Sequence, residues 1–132
     1  MKKIIKWMMV LALAVGCAAA MTIAAEAATE GGFNYSVSGG EATVTGYVRK
    51  PTGALVIPDT LGGYPVTVIG EGAFQNCTGI TKVTIPKGVM EIEEYAFANT
   101  GLTSIAIPDS MECIEGKAFD KCNALKRVDV TS

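Results

Sequence analysis

Residues 80–101 read ITKVTIPKGVMEIEEYAFANTG, and much of the remaining chain restates them. Downstream, Leu102 opens LTSIAIPDSMECIEGKAFDKCNA and Leu125 opens LKRVDVTS; upstream, LVIPDTLGGYPVTVIGEGAFQNCTG sets Ile57 and Pro58 where Ile85 and Pro86 stand. Phe74 and Phe97 are 23 residues apart, Phe97 and Phe119 are 22 apart, and so are Ile92 and Ile114. A fixed period of this size predicts a solenoid, because one such unit cannot bury its own apolar face and must stack on its neighbours.

Within each unit the order of residue types predicts how the chain turns. Leu55 with Ile57, Val83 with Ile85, Ile105 with Ile107 and Val128 with Val130 alternate apolar with polar, so each pair points inward from a short strand. Pro58, Pro86 and Pro108 follow at once and end each strand, since proline has no amide to give to a ladder. Six residues past the proline comes a second inward residue, Ile92 or Ile114; the first coil needs eleven to reach Ile69, and the extra length in LGGYPV reads as a loop thrown outward. Ala73-Phe74, Ala96-Phe97 and Ala118-Phe119 then give a small residue for a tight bend and a ring for the coil centre, predicting a spine of stacked rings.

Ahead of the first coil, FNYSVSG and EATVTGYV alternate around Gly39 and Gly40, which reads as a β-hairpin. Its place suggests that it covers the end of the stack. The small, polar stretch 28–32 reads as a disordered lead-in. The expected organisation is a leader over 1–27, lead-in and capping hairpin over 28–52, and the repeats over 53–132, with coils at about 53–79, 80–101 and 102–124 and a partial one at 125–132.

The run from strand to bend, with VTIP or IAIP, the inward isoleucine, and AF followed three residues later by Cys77, Thr100 or Cys122, closely resembles the BspA-like, treponemal-type leucine-rich repeats. The entry segment VTGYVRKPTGALVIPDTLGGYPVTVIGEGAF does so too, and the resemblance spans about Glu41 to Ser132. It implies a mainly β, right-handed leucine-rich-repeat solenoid in exported, surface-associated proteins that mediate attachment or recognition. It supplies no catalytic residues to carry over.

The first residues read as an export signal. Lys2, Lys3 and Lys6 precede the apolar run Trp7 to Val15, and Ala25, Glu26 and Ala27 form a small-residue site, placing cleavage before Ala28. Two other readings stay open: a membrane span over Trp7 to Ala25, against which its alanine-rich second half argues, and a lipoprotein box at Val15, Gly16 and Cys17. All three leave lysines inside and the following chain outside the cytoplasm.

Beyond such a cleavage the chain keeps 105 residues, eight of them basic and twelve acidic, a net charge of about −4. That is one small domain, and without a basic stripe nucleic acid is not an expected partner. The chain has no histidine, which removes imidazole bases, Ser/His/Asp or Cys/His pairs and mixed Cys/His zinc sites.

Three cysteines follow the leader, Cys77, Cys113 and Cys122. Cys77 and Cys122 hold one coil position two repeats apart, about 10 Å at strand spacing, too far for a disulfide. The three are expected as small apolar fillers. Glu91, Glu93 and Glu94 read as one convex, solvated turn with Glu112 and Glu115 a coil further; ligand spacing for calcium and a cleft for glycoside hydrolysis are both missing, so no metal, cofactor or catalytic residue is expected. Asn34 with Ser36 and Asn76 with Thr78 match glycosylation triplets.

The outward strand positions are expected to form two ladders, Ala54, Lys82, Ser104, Arg127 and Val56, Thr84, Ala106, Asp129, whose identities vary over a constant apolar interior. Lys82, Thr84, Ser104, Ala106, Arg127 and Asp129 are the candidate binding residues, with Lys82 and Arg127 bracketing Ser104 as two cations suited to an acidic protein patch or anionic glycan. The expected function is non-enzymatic recognition or adhesion by a secreted or cell-surface protein, monomeric or weakly self-associating. The alternative is a structural protein that assembles through its exposed last strand.

Overall fold

A computed structural model describes residues 26–131. The expected leader, with the lipid box at Cys17, lies outside the described residues except for its last two positions. Those two, Glu26 and Ala27, begin a strand, β1 (Glu26–Glu30), which pairs antiparallel with β2 (Phe33–Ser38); β2 pairs antiparallel with β3 (Glu41–Tyr47). The stretch expected as a disordered lead-in is therefore the outer strand of a three-stranded cap. The reason is local: Gly31 and Gly32 both have positive φ, 59° and 89°, as do Gly39 and Gly40 at 60° and 82°. A two-residue turn of that kind needs φ above zero at both centres and matches the twist of the strands it joins.

The same turn appears once more. The LGGYPV segment forms a hairpin of β5 (Thr60–Leu61) and β6 (Tyr64–Ile69) around Gly62 and Gly63, with φ of 62° and 87°. It does not loop outward as expected, because Leu61 is buried and Tyr64 packs against the core. Gly62 lies directly over the Tyr35 ring of the cap, and its amide donates to a Glu30 carboxylate oxygen.

The coils run through two parallel ladders. Strands β4 (Gly53–Val56), β7 (Ile80–Thr84), β9 (Ser104–Pro108) and β11 (Arg127–Thr131) form one sheet of four rungs. On the other, β6, β8 (Glu91–Ile92) and β10 (Cys113–Ile114) continue the cap, with β6 parallel to β3. The core lies between them, built from Leu55, Ile57, Val83, Ile85, Ile105 and Ile107 on one side and Val66, Ile69 and Ile92 on the other. Among the described residues there is no helix; the chain is a short β-solenoid of about four turns.

What returns the chain from one sheet to the other is a ribbon of overlapping turns. In coil one the amides of Ala73, Gln75 and Cys77 donate three residues back, to Gly70, Gly72 and Phe74. The intervening amides of Gly72, Phe74 and Asn76 donate instead to Glu94, Ala96 and Ala98 of the next coil. Amides thus alternate between closing their own turn and binding the neighbouring coil, which leaves few of them orphaned. The alternation requires left-handed residues at fixed places: Gly72, Tyr95 and Lys117 at one, Asn76, Asn99 and Lys121 at the other.

Phe74, Phe97 and Phe119 stack in the column that the spacing predicts, with centroids 5.4 and 5.7 Å apart. The column has another member. Tyr47 of the cap stacks on Phe74 at 6.1 Å, and Phe33 meets the same ring edge-on at 6.2 Å. The hairpin thus covers coil one by supplying the ring that a preceding coil would have supplied.

The last rung departs from expectation. Val128 and Val130 pair with Ile105 and Ile107 and so hold inward register, yet they are 55% and 72% exposed, and Ile114 is 42% exposed. Among the described residues nothing lies over them, whereas their equivalents on β7 and β9, and Ile69 and Ile92 on the other sheet, have a strand on both sides.

Candidate recognition face

Strand pairing fixes the outer face of the four-rung sheet. Ala54 lies beside Lys82, Lys82 beside Ser104 and Ser104 beside Arg127; next to them run Val56, Thr84, Ala106 and Asp129. Both ladders therefore exist in the register that alternation implies. Lys82 and Arg127 are exposed, while Thr84, Ser104, Ala106 and Asp129 are half-buried by their neighbours. At about 4.8 Å per rung, the two cations' strands stand about 10 Å apart across Ser104.

The electrostatics differ from the expected pair of free cations. Arg127 Nε donates to Asp129 Oδ1 at 3.0 Å, joining alternate residues on the same side of β11. The pair is solvated, with side chains 73% and 45% exposed, so it adds little stability. It does neutralise that end of the face. Among the described residues Lys82 remains as the unpaired cation of the two ladders, beside a flat centre of Thr84, Ser104 and Ala106. Val56, 65% exposed, adds an apolar corner on the rung of coil one. This surface offers hydroxyls, one positive charge and low relief, which suits contact with an extended or flat partner.

The second sheet carries a different grouping. The expected convex acidic turn divides: Glu93 Oε2 accepts the amide of Glu71 at 2.8 Å, while donor atoms of Glu91, Cys113 and Glu115 lie within 4.8 Å of one another. Cys113 is exposed, contrary to the expectation of a buried filler. Cys77 fits that expectation, being fully buried; burial pushes its thiol above the ordinary value, and a Tyr47 hydrogen bond acts the other way. All three cysteines are free. Cys122 Sγ donates to Phe97 O at 3.0 Å and lies 3.2 Å from Thr100 Oγ1, its equivalent one coil earlier. In both glycosylation triplets the asparagine side chain is engaged, Asn34 with Tyr47 O and Asn76 with Asn99.

Parallel rungs around a phenylalanine column that recurs every 22 or 23 residues, with a variable outer ladder, define a leucine-rich-repeat solenoid. The family model described as BspA type leucine rich repeat region matches residues 54–132, and the chain belongs to that family. It is similar to a crystallised leucine-rich repeat protein from Bacteroides capillosus, with 29% identity and a TM-score of 0.57 over 80% of this chain and 99% of that one. It is also similar in fold to the pneumococcal vaccine antigen PcpA, with 22% identity and a TM-score of 0.50 over 82% of this chain and 38% of that one. No curated protein matches the chain.

Proposed function

We propose that this protein is an exported, non-enzymatic recognition module that binds a protein or glycan through the outer face of its four-rung sheet. The observation that carries the reading is the pairing itself: positions 54, 82, 104, 127 and 56, 84, 106, 129 align rung by rung and vary, over an interior that stays apolar. Variation on a fixed scaffold is how solenoids make binding surfaces. The export reading rests on the basic and apolar leader, and family membership supports placement at the cell surface. Among the described residues no helix is long and apolar enough to cross a membrane.

The test is a binding comparison on arrays of glycans and extracellular proteins. The unsubstituted protein is set beside Lys82→Glu/Thr84→Arg on the proposed face and Glu93→Lys/Glu94→Lys on the other sheet. The reading requires a binder that the first variant loses and the second keeps. A binder indifferent to Lys82 and Thr84, or no binder on either array, overturns it.

The rival reading is self-assembly through β11, whose Val128 and Val130 are exposed. Light scattering over a concentration series separates the two. A mass that grows with concentration favours assembly, and a constant monomer mass favours recognition.

A further inference from the structure

We infer that Glu91, Cys113 and Glu115 form a site for a divalent cation of the zinc class. Register brings the three together. Cys113 pairs directly with Glu91 across parallel strands β10 and β8, and Glu115, two residues further on, returns to the same side as Cys113. The backbone beneath them is fixed by the ladder: the amides of Glu112 and Cys113 donate to Met90 O at 2.8 and 3.0 Å, and that of Glu115 to Ile92 O at 2.9 Å. The donors are thus set by strand geometry and not by a loop, and a site on such elements keeps its spacing.

The three side chains have no other employment. Among the described residues none of the three makes a side-chain hydrogen bond, and the ion pair is Arg127 with Asp129 on the other sheet. Lys117, two residues beyond Glu115, lies 5.7 Å over the Tyr95 ring. Two carboxylates and a thiol therefore converge, with donor atoms no more than 4.8 Å apart and no basic side chain paired to them.

The donor set selects the metal. Around a tetrahedral zinc ion, sulfur stands at about 2.3 Å and carboxylate oxygen at about 2.0–2.2 Å, which places donors about 3.5 Å from one another. Closing from the observed separation takes about 1 Å, within the rotamer freedom of two glutamates. Calcium and magnesium prefer all-oxygen shells of six or more ligands, which two carboxylates do not approach. A thiolate with two carboxylates suits zinc, cobalt or cadmium, with water in the fourth position. On binding, Cys113 gives its thiol proton to solvent and ligates as the thiolate. In an exported chain this would also hold an exposed thiol that is otherwise open to oxidation.

Cobalt(II) reports the geometry directly, because thiolate ligation gives an intense near-ultraviolet charge-transfer band. Titrating the reduced, metal-free protein with cobalt alone should raise that band to saturation at one ion per chain, and zinc should abolish it. The band should vanish in Cys113→Ser and persist in Cys122→Thr, which borrows the residue of the equivalent position in coil two. Glu91→Gln with Glu115→Gln should weaken zinc by about tenfold or more. These positions are exposed or half-exposed, so the variants fold, and circular dichroism checks it. No band at saturating cobalt, a band that survives Cys113→Ser, one ion per two chains, or zinc affinity indifferent to both glutamates would each overturn the site.

Discussion

The rings of Phe74 and Phe97 stack with centroids 5.4 Å apart and planes 10° from parallel. Phe97 has Phe119 on its other side at 5.7 Å and is wholly buried. Phe97→Ala therefore opens a cavity in the middle of the column, a change that typically costs about 3–5 kcal/mol. A domain of this kind has only about 5–15 kcal/mol in total. Phe119→Ala should cost less than half as much, because that ring is only partly buried. Urea denaturation of both variants checks the order, and equal losses would show that the column is not a continuous stack.

Glycine at 101 is required by proximity. A Cβ there would stand 2.5 Å from Thr78 O and 3.1 Å from Ile80 O, backbone atoms of the preceding coil that have nowhere to go. Gly101→Ala should destabilise by about 2 kcal/mol or more, as overpacking against rigid backbone does. Gly116 meets nothing within 4 Å, and Gly116→Ala should stay within about 0.5 kcal/mol of the parent. Thermal melts of the pair measure the difference.

Asn76, Asn99 and Lys121 share the left-handed place at the end of each bend, with φ of 65°, 55° and 59°, and Asn99 Nδ2 donates to Asn76 Oδ1 at 2.8 Å. Asparagine tolerates that conformation better than lysine. Lys121→Asn should extend the amide ladder and stabilise by about 0.5–1 kcal/mol, whereas Lys121→Val should lose about 1 kcal/mol. Chemical denaturation midpoints that move together would refute this.

Alkaline pH should weaken the fold. Burial raises the Cys77 thiol and the Tyr35 phenol, and a hydrogen bond with Cys77, then burial, raises the Tyr47 phenol. Above about pH 8.5, where an unfolded thiol ionises, the folded chain keeps protons that the unfolded chain releases, so stability falls as pH rises. Below that pH the contribution is intact. Cys77→Thr, which copies Thr100 and also takes away the Cys77 partner that raises Tyr47, should flatten the decline in melting temperature between about pH 8 and 10, leaving the part due to Tyr35. An unchanged slope would exclude Cys77 as a source.

On the outer face, the Arg127–Asp129 pair shifts the expected sensitivity to Lys82. Lys82→Glu should reduce binding of an array hit more than Arg127→Ala does, and both should change stability by less than about 0.5 kcal/mol because the side chains are solvated. Surface plasmon resonance gives the ranking. Greater loss from Arg127→Ala would mean that the pair opens on binding.

The repeating part of this fold is legible because its signals are periodic. Inward pairs, prolines and Ala-Phe bends recur, and strand alternation places Lys82, Ser104 and Arg127 in line. The cap and the hairpin of coil one are harder to read, because each occurs once. Even so, the rule that identifies a turn at Gly39 and Gly40 applies equally to Gly31-Gly32 and Gly62-Gly63, and would have given β1 and β5. The Arg127–Asp129 pair was also readable, since residues two apart on a strand share a side. Exposure at Ile114, Val128 and Val130 was not, because no pattern within a rung says whether another rung covers it. Convergence at Glu91, Cys113 and Glu115 needs the pairing of β8 with β10, which the 22-residue interval between 91 and 113 implies once that interval is read as register.

Tyr47 puts a phenol where the repeat would put phenylalanine, and β3 lies alongside β6 as another coil would. Among the described residues the cap's ring contacts are with coil one, through Phe74, and its parallel pairing is with β6. Array length is thus uncoupled from initiation: whole coils inserted after Gly79 would leave the starting unit untouched. The cap is in this sense a transferable primer, and grafted ahead of an unrelated array with the same bend it should seed an ordered first coil.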